Sequence, residues 1–239
     1  VRIQPAGEVG YLIRTRALSN DEKSALTGSF GALGTLQVDQ FTTIGPAIGT
    51  ELLHKAWIAI VLVVLCTILF IALAFRGVSQ ALPTGRQAVA SWKYGIVAII
   101  TLLHDILVPA GLFAALGYFV GAEVDSLFIV ALLTILGISI NDTIVIFDRI
   151  RENLRRNEEH RKHEDFEQVV GKSITQTIAR SINTSLTVII VLVALYFVGP
   201  EATKNFALTL TVGMIAGTYS SIFLASPLLV AWQKWSDKK

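Results

Sequence analysis

Charge is scarce in this sequence. Asp, Glu, Lys and Arg make up 16% of its 239 residues and 53% are hydrophobic, where a soluble domain carries about a quarter charged. That balance excludes an ordinary water-soluble fold. Cysteine is nearly absent as well. Cys66 is the single one, so no intrachain disulfide forms and the chain carries no redox signal. His160 and His163 lie in a charged loop with no cysteine and no repeated carboxylate spacing, which argues against a metal centre. A phosphate-cradling glycine loop and a nucleophile elbow are both missing. The expectation is a chain that is not an enzyme and binds neither a metal nor an organic cofactor.

Long apolar runs are what the sequence has instead. Five of them, at about 56–75, 94–118, 127–147, 181–198 and 206–232, are each near the ~20 residues a helix needs to cross about 30 Å of hydrocarbon. Trp57 and Arg76 flank the first, and Trp232 and Trp235 stand near the end of the last, where interfacial aromatics belong. The predicted fold class is an all-α membrane bundle of five transmembrane helices over 55–236, with a partial α/β domain over 1–50.

Within 1–50, "YLIRTR" (Tyr11–Arg16) has strand character. Ser19 and Glu22 fit a capping box, and Leu26, Phe30 and Leu33 share one face of the helix it opens. Gly34 ends that helix, and "LQVDQFTTI" reads as a second strand before the Gly45-Pro46 turn. Two strands and a helix are too few for a stable domain, and Val1 falls within strand-like sequence. An upstream half-domain and an upstream transmembrane helix are therefore expected.

Loop charge predicts the orientation. Arg76, Arg86 and Lys93 follow the first run, eight Lys and Arg lie between Arg149 and Arg180, and Lys234, Lys238 and Lys239 close the chain. The opposite loops hold only Lys204. The C-terminus is expected in the cytoplasm and residues 1–55 outside. In the charged loop 148–180, "DFEQVVGKSITQTIAR" aligns Phe166, Val169, Val170, Ile174 and Ile178. An amphipathic helix on the membrane surface, turning into the fourth span, is the expected form.

Ionisable groups within the runs carry the functional reading, because hydrocarbon tolerates them only facing a bundle interior or a water path. Asp142 lies six residues before Asp148, roughly 9 Å inside the charged boundary. Ser139, Asn141 and Thr143 around it, with Thr134, supply hydrogen-bonding groups. Asp142 is either a permanently paired packing residue or a proton carrier; desolvation and a nearby cation pull its protonation in opposite directions, which favours the carrier. Arg180, placed at the depth of Asp142, is either that fixed cation or a positive-inside anchor. Asp105 sits near mid-membrane, four residues before Pro109, which leaves its carbonyl free; it is a second relay or a packing group. His104 is a supporting residue, and adjacent side chains pointing about 100° apart predict no His104–Asp105 pair. Gly213, Gly217, Ser221 and Ala225, each four apart, read as a helix-packing stripe.

Five motifs resemble the SecF family of bacterial protein-export proteins, in the family's order: "TIGPAIGTEL" (Thr43–Leu52), "LLHD" (Leu102–Asp105), "LLTILGISINDTIVIFDRIREN" (Leu132–Asn153), "SITQTIARSINTSLT" (Ser173–Thr187) and "GTYSSIFLASPLL" (Gly217–Leu229). Ile138 stands where the family commonly has an aromatic. The resemblance implies a six-helix bundle of the RND superfamily type with an external α/β domain between its first two helices. It implies a proton-driven machine in the bacterial cytoplasmic (inner) membrane. Its partners would be SecD, the SecYEG channel, YajC, YidC and the exported polypeptide. Asp142 and Arg180 match positions implicated in proton passage; sodium remains the alternative ion. Two other readings stay open: an RND-type exporter of small molecules or lipids, and a scaffold that transports nothing.

Overall fold

The computed structural model describes residues 2–6, 10–16, 18–31, 37–38, 46–74, 91–122, 124–160 and 164–237. They fall into two units, Val1–Trp57 and Ile58–Lys239, so the first boundary lies a few residues beyond the expected 50.

In the first unit, strands β1 (Arg2–Ala6) and β2 (Gly10–Arg14) pair antiparallel with Ile3 opposite Ile13. Helix α1 (Asn20–Gly31) follows. Its expected capping box is present: the Ser19 N–H donates to Glu22 Oε2 at 2.9 Å and the Glu22 N–H to Ser19 Oγ at 3.3 Å. Each bond satisfies a donor that a helix start leaves unpaired. Arg16 also forms an ion pair with Glu22. Most of the expected second strand and the Gly34 stop lie outside the described residues.

Helix α2 (Pro46–Ala74) opens on Pro46, whose missing N–H costs nothing at a first helical position. The remaining helices are α3 (Ser91–Val120), α4 (Ser126–Glu159), α5 (Phe166–Val198), α6 (Glu201–Ser220) and α7 (Ser226–Asp237). A π-helical turn, Ser221–Ala225, joins α6 to α7. Pro227 explains that turn, because it has no N–H to offer the carbonyl four residues back and the backbone widens there. Among the described residues, five helices are long and apolar enough to span a membrane.

Between α3 and α4, Gly121 takes φ 64°, a left-handed conformation in which only Gly is unstrained. Asp125 then caps α4, accepting from the Phe128 N–H at 2.9 Å.

With 34 and 33 residues, α4 and α5 are each about 50 Å long and outrun a bilayer. Here the structure differs from the sequence expectation. The amphipathic segment is not a separate surface helix that turns into the span; it is the first half of an unbroken α5. Its apolar stripe packs on the bundle: Phe166, Val169 and Val170 share a core with Ile146, Phe147, Ile150 and Leu154 of α4, Tyr94 and Val97 of α3, and Leu229 of α7. A facing helix satisfies that stripe as well as lipid does, so periodicity alone cannot separate the two. Asn153 Nδ2 donates to Ser173 Oγ and Gln176 Oε1, both at 2.9 Å. Lys93 Nζ donates to Gln233 Oε1 at 2.9 Å, and Lys234 pairs with Glu167 at 2.5 Å.

The central helix is α6, which packs on α3, α4 and α5. Its register against α4 follows from three contacts. A Cβ on Gly213 would lie 2.1 Å from Ile135 Cδ1, and one on Gly217 would lie 3.2 Å from Ser139 Cβ. Thr143 Oγ1 and Ser221 Oγ are 3.0 Å apart. Each pair is separated by the same sequence offset, so α4 and α6 run parallel and meet every four residues. Between apolar helices in lipid, such close approach replaces the water-driven association of soluble cores.

Two outcomes are expected. Gly213→Ala normally gains about 1 kcal/mol in a helix, but here it is destabilising by about 1–3 kcal/mol because buried Ile135 must move. In a double-mutant cycle read by thermal unfolding, combination with Ile135→Ala is less damaging than the two separate effects together. In the first unit, Arg16 beside Glu22 holds its carboxyl down at about 2. A depressed carboxylate contributes stability above its unfolded range near ~4.3 and loses it as pH falls toward the folded value. The protection of the Ser19 and Glu22 amides, relative to their intrinsic exchange rates, therefore falls between about pH 4 and 2, and Glu22→Gln removes that dependence.

Candidate functional site

A polar layer crosses the apolar bundle where α3, α4, α5 and α6 meet. Asp105, on α3, is fully buried at 0% exposure. Ser139 Oγ of α4 donates to Asp105 Oδ2, and His104 Nδ1 lies 2.9 Å from Asp105 Oδ1. One turn beyond Ser139 on the same face of α4, Asp142 is 7% exposed and lies beside Ser185 of α5. Thr218 Oγ1 of α6 donates to Ser185 Oγ at 2.6 Å. Thr143 closes the layer through Ser221. Asp105 is thus held by a hydroxyl and an imidazole, and Asp142 sits among the hydroxyls of Ser139, Ser185 and Thr218. Among the described residues no Lys or Arg comes within ion-pair distance of either.

Beside Asp142 a narrow crevice lies between Ser139 and Asp142 on α4 and Gly213, Gly217 and Thr218 on α6. It is too narrow to seat a water-sized sphere. Gly213 and Gly217 form its wall because side chains there would enter the α4 backbone's neighbourhood.

Three expectations need correction. His104 and Asp105 do contact each other; their Cα–Cβ bonds diverge, but the imidazole is long enough to swing back onto the neighbouring carboxylate. Arg180 is exposed and makes no ion pair among the described residues. On α5 it lies five residues from Ser185, about 140° around the helix, so it points away from Asp142. The contacts Asp142–Ser185 and Asn153–Ser173 also make α4 and α5 antiparallel and put Arg180 level with Phe147, at the charged boundary and not at the depth of Asp142. Asn141, finally, is exposed; it neighbours Asp142 in sequence but projects from another face of α4. Ser139, Asp142 and Thr143 point inward, and Gly213, Gly217 and Ser221 pack opposite them.

Sequence reasoning passed over Ser185 and Thr218, a hydrogen-bonded pair of hydroxyls beside Asp142. The available signal was a four-residue spacing, Ser173, Thr177, Ser181 and Ser185, inside a motif read for its arginine.

Residues 27–235 match the family described as Protein export membrane protein SecD/SecF, C-terminal. The chain belongs to the SecD/SecF family. It is 51% identical over 193 residues to the protein translocase subunit SecF of Thermobaculum terrenum, covering 81% of this chain and 56% of that one. It is 38% identical over 235 residues to SecF of Anaerolinea thermophila, covering 97% and 72% respectively. The crystal structure of SecDF in its super-membrane-facing form is similar in fold, with a TM-score of 0.66 and 32% identity over 92% of this chain and 27% of that one. The chain thus spans a little over half of the first SecF relative and about a quarter of the SecDF chain. In family terms, the polar layer lies wholly within the shared membrane region.

The Asp105 cluster generates a direct test. Ser139→Ala leaves a buried carboxyl oxygen without its donor and lowers unfolding stability by about 1–3 kcal/mol. In an Asp105→Leu background, where no oxygen remains to be orphaned, the same substitution is nearly neutral. Thermal unfolding of the four proteins in detergent reads both.

Proposed function

We propose that this chain is the membrane part of a SecF subunit that uses the proton-motive force to promote late steps of protein translocation. The observation carrying the reading is Asp142: a carboxyl group deep in a five-span bundle, set beside hydroxyls that can exchange partners, with no described cation fixing its charge. A carboxylate permanently locked to Arg or Lys would not change protonation easily; one set beside Ser185 can. Family membership supplies the cargo, since the relatives are named protein translocase subunits.

Orientation follows the positive-inside reading. The charged extensions of α4 and α5 lie in the cytoplasm, the N-terminal unit lies outside, and the membrane is the bacterial inner membrane. Arg180 then acts at the cytoplasmic boundary, not as a direct partner of Asp142. Asn141, Asn183, Thr184 and Thr187 are polar yet exposed on the spans, and hydrocarbon disfavours bare amides. SecD is the membrane partner that covers them. SecYEG, with YajC and YidC beside it, passes on the exported polypeptide.

The test is co-reconstitution of the full-length protein with SecD in vesicles under an imposed proton gradient. Asp142→Asn is expected to reduce proton flux and release of the exported chain together, each by at least about tenfold. Unchanged flux and release in a folded Asp142→Asn protein make Asp142 a packing residue and leave the scaffold reading standing.

A further inference from the structure

One face of α5 carries hydroxyls at every fourth position: Ser173, Thr177, Ser181 and Ser185. All four are buried, at 0%, 6%, 2% and 2% exposure. Twelve residues separate the ends, about 18 Å along the helix. At one end Ser185 lies beside Asp142. At the other, Ser173 accepts from Asn153, which also reaches Gln176, a residue that is itself exposed. The row therefore runs from beside the buried carboxyl toward the exposed, charged end of the bundle.

Packing alone does not account for the row. Small apolar residues would allow equally close helix contact without burying oxygens. Ser173 and Thr177 satisfy themselves by donating to Val169 and Ser173 carbonyls at 2.7 and 2.9 Å. Ser181 does not: its Oγ is buried and has no partner among the described residues. On α7, which packs against α5, Ser226 Oγ is likewise buried without one. An unsatisfied buried hydroxyl costs about 1–3 kcal/mol, and native proteins rarely keep one without use.

We propose that this hydroxyl row is the path by which a proton leaves Asp142 for the charged side of the membrane, with Ser181 as its switching point. The inference rests on the proton-coupled reading above and names the route that reading lacks. Successive hydroxyls four residues apart are about 6 Å apart along the axis, too far for a direct bond, so a water molecule between each pair completes the chain. Each hydroxyl or water accepts a proton on its oxygen and gives up its own to the next acceptor. The proton lost by Asp142 is matched by one delivered to bulk water beside Asn153, and no other bond is made or broken. Ser181, uncommitted to any protein acceptor, is free to turn toward Ser185 or toward Thr177. That freedom makes it a switch where Thr177 and Ser173 are tied to carbonyls.

The test uses the full-length protein with SecD in vesicles, with proton flux and thermal unfolding measured on the same samples. Ser181→Ala removes an unpartnered hydroxyl, so the folded state keeps or gains stability, yet flux falls by at least about tenfold. Ser181→Thr, which retains a hydroxyl, restores most of what Ser181→Ala loses. Thr177→Val, matched in shape, lowers flux in the same way and serves if the alanine variant fails to fold. Full flux in a folded Ser181→Ala or Thr177→Val protein, with Asp142→Asn still inactive, overturns the hydroxyl path and leaves the proton reading intact. Full flux in Asp142→Asn overturns both.

Discussion

Everything in the bundle depends on how closely α6 can approach α4. Two helices in lipid gain nothing from expelling water; they stay together through contact and hydrogen bonds. Contact at this interface needs bare backbone at Gly213 and Gly217, and the four-residue offset repeats it through Thr143 and Ser221. The same constraint narrows the crevice beside Asp142. A bundle held apart by larger side chains would admit water to the carboxyl and weaken every electrostatic interaction around it. Packing and chemistry therefore share one set of residues.

The polar layer is a consequence of where those helices end up. Each inward polar group sits one turn from a small residue: Ser139 and Asp142 beside Gly217, Thr218 next to Gly217 in sequence. Short side chains can hydrogen-bond only across a short gap, so hydroxyls dominate where the helices are closest. Longer groups gather at the charged end, where α4 and α5 run past the membrane and Asn153, Gln176, Lys93 and Gln233 bridge wider spacing. The gradient from hydroxyls to amides to ion pairs follows distance from the α4–α6 contact.

Much of this is legible in the sequence, for identifiable reasons. Apolar runs of membrane length announce the helices, and the Ser19–Glu22 spacing announces the α1 cap, because both signals are local. Helix ends are less visible: α4 and α5 continue well past their apolar runs, since salt-bridged surface helix and loop look alike in composition. The direction of a side chain is the hardest thing to read. Asn141 and Asp142 are neighbours in the chain but lie on different faces, and Arg180 and Ser185 share a motif but point about 140° apart. An apolar or polar periodicity tells which residues share a face; it does not tell which face meets which helix. That is why the hydroxyls around Asp142 stayed hidden inside a pattern chosen for its charge.

Energetics favour a small stroke over a large one. One charge crossing 100 mV releases about 2.3 kcal/mol, and one pH unit adds about 1.4 kcal/mol. A hydrogen bond to a charged group is worth about 1.5–3 kcal/mol, within reach of a single proton. Separating α6 from α4 would break a whole row of contacts and expose Ser139, Thr143 and Ser221 to hydrocarbon, which one proton does not cover. On the proposed proton-coupled reading, a protonation event at Asp142 is matched to repartnering of Ser185 and Thr218, a shift of hydroxyls that leaves the α4–α6 contact in place. In that reading α5 is the lever, because it lies beside Asp142 at Ser185 and packs on the charged extension of α4 through Phe166, Val169 and Val170.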